Sequence, residues 1–124
     1  MDAKKILIVE DDAFIRDIYQ VKFSQDGFEV IIAENGLEAI KKLEQLTPDI
    51  ILLDIIMPYM GGMEVLKKIK ENDALKNIPI IMLTNISEKE KITEGAEYGV
   101  NEYLIKSHFT PSEVVRKVNA LLNI

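Results

Sequence analysis

The sequence predicts an α/β fold: a doubly wound, five-stranded parallel sheet with helices on both faces. Three observations predict it. Short apolar runs at residues 6–9, 30–33, 50–53, 80–83 and 103–105 alternate with helical patterns along the whole chain. The first, third and fourth runs are almost wholly Ile, Leu, Val and Met, the composition of strands buried on both faces. The segments between them carry recognisable helix starts, and strand–helix alternation of this kind leads to right-handed crossovers and a parallel sheet.

The first run ends in Glu10-Asp11-Asp12. The first helix is expected to start at Asp12, to turn Ile15, Ile18, Tyr19 and Phe23 inward, and to stop near Asp26-Gly27, a turn signal. The second run, 30–33, is more mixed, as edge strands tend to be. Asn35 then offers an N-cap with Glu38 three residues on. The third run leads into Asp54, and a third helix is expected over 64–71, after Pro58 and the Gly61-Gly62 pair. The fourth run ends at Thr84, and Ser87-Glu88-Lys89-Glu90 is a capping box for a fourth helix. The short fifth run ends at Lys106. Thr110-Pro111-Ser112-Glu113 is a second capping box with Pro at the first helical position, and Val114, Val118, Leu121 and Leu122 follow at helical spacing. Five such units suggest the flavodoxin-like strand order 2-1-3-4-5, whose ligand site lies outside the carboxyl ends of strands 1 and 3.

A length of 124 residues suits one domain, taken as 1–124. Asp+Glu 21 against Lys+Arg 15 leaves a formal net charge of −6, which argues against nucleic-acid or anionic-membrane binding. The absence of Cys excludes disulfides, a thiol nucleophile and Cys-based metal sites; a single His, His108, excludes a multi-His metal site and disfavours a Ser–His–Asp hydrolase. The first apolar run is cut off at Glu10, too short for a signal peptide or a membrane span, so a cytoplasmic location is expected.

Four strands deliver polar or charged groups to one edge: Glu10-Asp11-Asp12, Asp54, Thr84 and Lys106. Two carboxylates about 4 Å apart repel by roughly 4 kcal/mol at an effective dielectric of 20. Glu10, Asp11 and Asp54 carry three negative charges and Lys106 one positive, and a divalent cation would neutralise the remaining −2. Oxygen-only ligands favour Mg²⁺, with Mn²⁺ as the alternative. A carboxylate beside such a metal can attack phosphorus and form an aspartyl phosphate. The metal and Lys106 would offset charge on the phosphoryl oxygens, and the Thr84 hydroxyl could donate to one of them. Asp54, alone at the end of the central strand, is the best nucleophile; the adjacent Glu10 and Asp11 are better suited to hold metal.

At these positions the chain resembles the receiver domain of bacterial two-component response regulators. The resemblance runs from Ile6-Leu7-Ile8-Val9-Glu10-Asp11-Asp12 to the last helix. It includes Leu52-Leu53-Asp54-Ile55-Ile56-Met57-Pro58, followed by Gly62, which matches the family's phosphoacceptor motif. It implies that Asp54 accepts a phosphoryl group from a histidine kinase or phosphotransfer protein. Asp11 and Asp54 would hold Mg²⁺ with the Ile56 backbone carbonyl, and Glu10 would act mostly through a metal-bound water. Lys106 would pair with the phosphoryl oxygens, and with Asp54 beforehand. Thr84 would move toward the new group and Tyr103, the switch aromatic, would turn inward. The surface of the fourth helix, fifth strand and fifth helix would then change for a downstream protein partner, with the protein a monomer or a phosphorylation-linked dimer. Kinase specificity would lie largely on the first helix and the loop after strand 5.

Several positions depart from the family pattern. Gly61 replaces a residue commonly acidic or polar, and Asn85 is larger than the usual Ala or Ser. Ser107 stands where Pro is usual, often after a cis bond; without Pro that bond costs about 3–4 kcal/mol. Ile56 and Ile86, which would flank the phosphoryl group, are both apolar, so slow hydrolysis of the aspartyl phosphate is expected.

Taken singly, each site residue has an ordinary reading: Asp12 as a helix cap, Lys106 as a solvated lysine, Thr84 as a strand-end cap, Tyr103 as packing. The methionines read as core and loop filler, and His108 as an exposed loop residue. A flavodoxin is disfavoured because Glu10-Asp11-Asp12 would repel the FMN phosphate; a haloacid-dehalogenase-type phosphatase is disfavoured because Ile56 stands where its second Asp belongs. The remaining alternative is a pseudo-receiver, an interaction module not phosphorylated in use. On either reading the chain is a switch or binding module rather than an enzyme that turns over an external substrate. No DNA-binding segment follows Ile124 in this chain, so nucleic acid is not an expected partner.

Overall fold

A computed structural model describes residues 3–55, 57, 59–84 and 99–124, with backbone alone at Thr84 and Ser107. The described elements are β1 (Lys5–Val9), α1 (Ala13–Gln25), β2 (Glu29–Ala33), α2 (Gly36–Gln45), β3 (Ile50–Asp54), α3 (Gly62–Glu71), β4 (Ile80–Thr84), β5 (Glu102–Ile105), a 3-10 turn (Lys106–His108) and α4 (Pro111–Leu122). The five strands form one parallel sheet in the order β2-β1-β3-β4-β5. This is the doubly wound fold that the sequence predicts. The helix expected after Ser87 lies outside the described residues.

Successive strand residues point to opposite faces. Leu7, Val9, Ile51, Leu53, Ile80 and Met82 pack with Ala39 and Leu43 of α2 and Val65, Leu66 and Ile69 of α3. Ile6, Ile8, Ile50, Leu52, Ile81 and Leu83 pack with Tyr19 and Phe23 of α1 and Val114 and Val118 of α4. Because helices cover both faces, the central strands show no apolar–polar alternation.

Local signals act where they were expected. Asp12 caps α1, its Oδ1 accepting from the backbone N–H groups of Phe14 at 2.9 Å and Ile15 at 3.2 Å. Tyr19 and Phe23 are buried, whereas Ile15 and Ile18 are only half-buried. Gly27, at φ 91°, provides the left-handed turn that ends the helix. Asn35 caps α2 through Glu38 N at 2.9 Å, and the capping box of Thr110 and Glu113 is complete. There is no cis peptide bond among the described residues, the Lys106–Ser107 bond included. No described helix is long and apolar enough to cross a membrane.

Among the described elements one boundary differs by more than a residue. The third helix starts at Gly62, not at Glu64. A glycine pair reads as a breaker in sequence, but Gly62 answers to a close approach. A Cβ there would lie 2.1 Å from the Asp54 carbonyl oxygen, and Gly62 N donates to Ile55 O at 2.7 Å. The bare backbone lets α3 begin directly against the end of β3.

Candidate functional site

Register brings the site together. Val9 is level with Leu53, Asp54 with Leu83, and Thr84 with Ile105. The residues that end or follow β1, β3, β4 and β5 therefore leave the sheet on one edge. Among them are two buried acids, Glu10 at 1% exposure and Asp54 at 5%.

Glu10 continues the β1 ladder, its N–H donating to Ala33 O at 3.1 Å. Its Oε2 accepts from Asp12 N at 3.2 Å. Lys106, delivered by the end of β5, donates from Nζ to Glu10 Oε1 at 2.9 Å and lies 3.0 Å from Asp54 Oδ2. One cation thus bridges two buried carboxylates. Asp11 is exposed, yet one carboxylate oxygen each from Glu10, Asp11 and Asp54 lie within 4.8 Å of one another.

Burial and the imbalance of charge both act on Asp54. Burial, then the charge of Glu10 and a hydrogen bond with it, push its pKa up from 3.8 to about 7, against the pull of Lys106. Burial opposes the charged form of Lys106, but the hydrogen bond to Glu10 and the charge of Asp54 outweigh it, so its pKa is raised. Apart from the ammonium, the cluster consists of hard oxygen donors with excess negative charge. That donor set fits Mg²⁺ or Mn²⁺ and does not fit a thiophilic metal.

The sequence candidates divide as follows. Glu10, Asp11, Asp54 and Lys106 come together, and the Thr84 backbone reaches the same edge. Tyr103 is half-buried, pairs with Met82 in the ladder and packs on the α2–α3 face of the core. Asp12 is a helix cap, and His108 is exposed. Met57, Met63 and Met82 are buried in the core, and Met60 packs against it. Ile56, Asn85 and Ile86 lie outside the described residues.

Sequence reasoning missed Arg16. Its Nη1 donates to the backbone carbonyls of Glu10 at 3.2 Å and Asp11 at 3.0 Å, and its Nη2 lies 3.0 Å from Glu34 Oε1. The available signal was an arginine in the first turn of a helix, where the dipole disfavours a cation.

The family model for the response regulator receiver domain matches residues 6–119. The chain belongs to this family. Over 97% of its length, this receiver domain is 36% identical to the phosphate regulon transcriptional regulatory protein PhoB of Escherichia coli, covering 52% of that protein. The chain thus spans about half the length of such curated relatives. Among solved structures it resembles the chemotaxis response regulator CheY4 of Vibrio cholerae, with a TM-score of 0.88 and 32% identity over 96% of this chain and 98% of that one. It also resembles response regulator Rcp1 in its Mn²⁺-bound form, with a TM-score of 0.83 and 33% identity over 94% and 92%. Receiver domains are signalling switches rather than enzymes with an external substrate, and they interact with histidine kinases and downstream effectors.

Proposed function

We propose that residues 1–124 form a single receiver domain that works as a phosphoacceptor switch, with Asp54 as the acceptor. The observation that carries this reading is the convergence of Glu10, Asp11 and Asp54 within 4.8 Å, with Lys106 held 3.0 Å from Asp54. A carboxylate oxygen of Asp54 attacks the phosphorus of a phosphohistidine on a kinase or phosphotransfer protein. The P–O bond forms as the P–N bond breaks, and the bonding pair leaves with the imidazole. Glu10, Asp11, Asp54 and the Ile56 carbonyl are the groups that would hold Mg²⁺, or Mn²⁺ in its place. A cation bound there offsets negative charge on the phosphoryl oxygens. Lys106 gives up its contact with Asp54 for a phosphoryl oxygen, and the Thr84 hydroxyl donates to another.

The new dianion then biases a two-state surface. Thr84 and Tyr103 couple the site to the face made by the helix expected after Ser87, β5 and α4, where a downstream protein binds or a second copy pairs. Apolar Ile56 and Ile86 cannot orient a hydrolytic water, so the acyl phosphate is long-lived. The protein acts on itself only, in the cytoplasm. Incubation with Mg²⁺ and acetyl phosphate, followed by intact mass, tests the reading. A single phosphoryl adduct that vanishes in Asp54→Asn supports it. No adduct with any donor favours the pseudo-receiver.

A further inference from the structure

We propose that Arg16 is a positioning residue for the metal-holding acids, gripping the β1–α1 loop by the carbonyls of Glu10 and Asp11 so that the Asp11 carboxylate faces the site. The assignment rests on the receiver reading of that site. The three acids are not held alike. Glu10 is buried and bonded to Lys106 and to Asp12 N, and Asp54 is buried against Lys106. Asp11 is exposed, and no hydrogen bond or ion pair to its carboxylate is found among the described residues. Its direction is therefore set by its own backbone.

Arg16 is what ties that backbone down. A single Nη1 serves two successive carbonyls, at 3.2 and 3.0 Å, which restrains the peptide units on either side of the Asp11 Cα. Nη2 reaches 3.0 Å to Glu34, just past the end of β2, so the guanidinium links the loops that follow two neighbouring strands. The side chain is only 15% exposed, which limits its alternatives. A planar fork of donors suits this task, and a lysine could not reproduce it.

Two effects of Arg16 on a bound cation have opposite signs. Its positive charge repels the metal, and Glu34 partly neutralises that charge. Its grip on the loop favours the metal by holding Asp11 in place. Groups that orient metal ligands typically contribute 10–100-fold in affinity, and the assignment holds that this second effect is larger.

The test uses the full chain and Mn²⁺ alone as probe. Free Mn²⁺ is followed by electron paramagnetic resonance in titrations of wild type, Arg16→Ala, Arg16→Lys and Asp11→Asn, beside thermal melts in EDTA. The assignment expects Mn²⁺ affinity to fall about 10-fold or more in both Arg16 variants. Arg16→Lys keeps the charge and also guards against a fold failure in the alanine variant. Tighter binding by Arg16→Ala with an unchanged lysine variant would mean that only charge matters, and would overturn the assignment. So would a lower melting temperature without any change in Mn²⁺ affinity, the mark of a merely structural role. If wild type binds no Mn²⁺, or Asp11→Asn binds it as well as wild type, the metal site itself fails and the assignment falls with it.

Discussion

Asp54→Asn should make the metal-free protein more stable at alkaline pH, although it removes a charged partner of Lys106. Asp54 is 5% exposed and carries a pKa raised from 3.8 to about 7 by burial and by Glu10. A carboxyl whose pKa is raised in the folded state contributes stability that is fully present below its unfolded pKa and lost as pH climbs through its folded one. About three pH units at 1.36 kcal/mol each set an upper bound of about 4 kcal/mol, lost between about pH 4 and pH 8. Relaxation and water entry bring that to about 2 kcal/mol. Asparagine has the same shape, can donate to Glu10 and accept from Lys106, and does not titrate. Urea unfolding followed by circular dichroism in EDTA measures the difference, because the chain has no Trp. The stability of Asp54→Asn relative to wild type should rise by about 2 kcal/mol from the acid to the alkaline end. A difference independent of pH, or one that shrinks as pH rises, would refute the electrostatic reasoning.

Lys106→Met leaves two buried carboxylates without their bridging cation; it should cost about 3–5 kcal/mol in unfolding experiments near pH 8, and it should slow adduct formation from acetyl phosphate. Gly62→Ala sets two effects against each other. Helix propensity favours Ala by about 1 kcal/mol, but the added Cβ would meet the Asp54 carbonyl oxygen at 2.1 Å and the Ile55 Cα at 2.8 Å. Neither is a side chain that can swing away, so net destabilisation of about 2 kcal/mol by chemical denaturation is expected, with loss of phosphorylation. Thr110→Ala removes the cap of α4 and should lower stability by about 1 kcal/mol in the same experiment, leaving the phosphorylation yield unchanged.

The strands were legible because burial on both faces leaves runs with little but Ile, Leu, Val and Met, and the helices because Asp12, Asn35 and Thr110 are caps whose action is local. The site was legible for a related reason: in a parallel sheet, the residues that end or follow each strand are delivered to one edge, so Glu10, Asp54, Lys106 and the Thr84 backbone could be placed on that edge by counting. What counting could not supply was burial. Counting put Glu10 and Asp11 side by side as metal-holding acids, yet Glu10 is enclosed and bound to Lys106 while Asp11 is exposed. Burial of Asp54, and then the charge and hydrogen bond of enclosed Glu10, raise the Asp54 pKa. Arg16 was hidden because its partners are two backbone carbonyls and a glutamate beyond the next strand, a pattern with no sequence period. Gly62 looked like a helix breaker because its constraint, the Asp54 carbonyl, comes from packing. The part assigned to Tyr103 came through family resemblance, since an aromatic in an edge strand reads equally well as packing.

The most direct test locates the acyl phosphate. The protein is treated with acetyl phosphate and Mg²⁺, reduced with borohydride, digested and sequenced by mass spectrometry; reduction converts an aspartyl phosphate to homoserine. The account predicts homoserine at position 54 and at no other acidic position. Homoserine at position 11 in place of 54, or reduction of Glu10 instead, would contradict it.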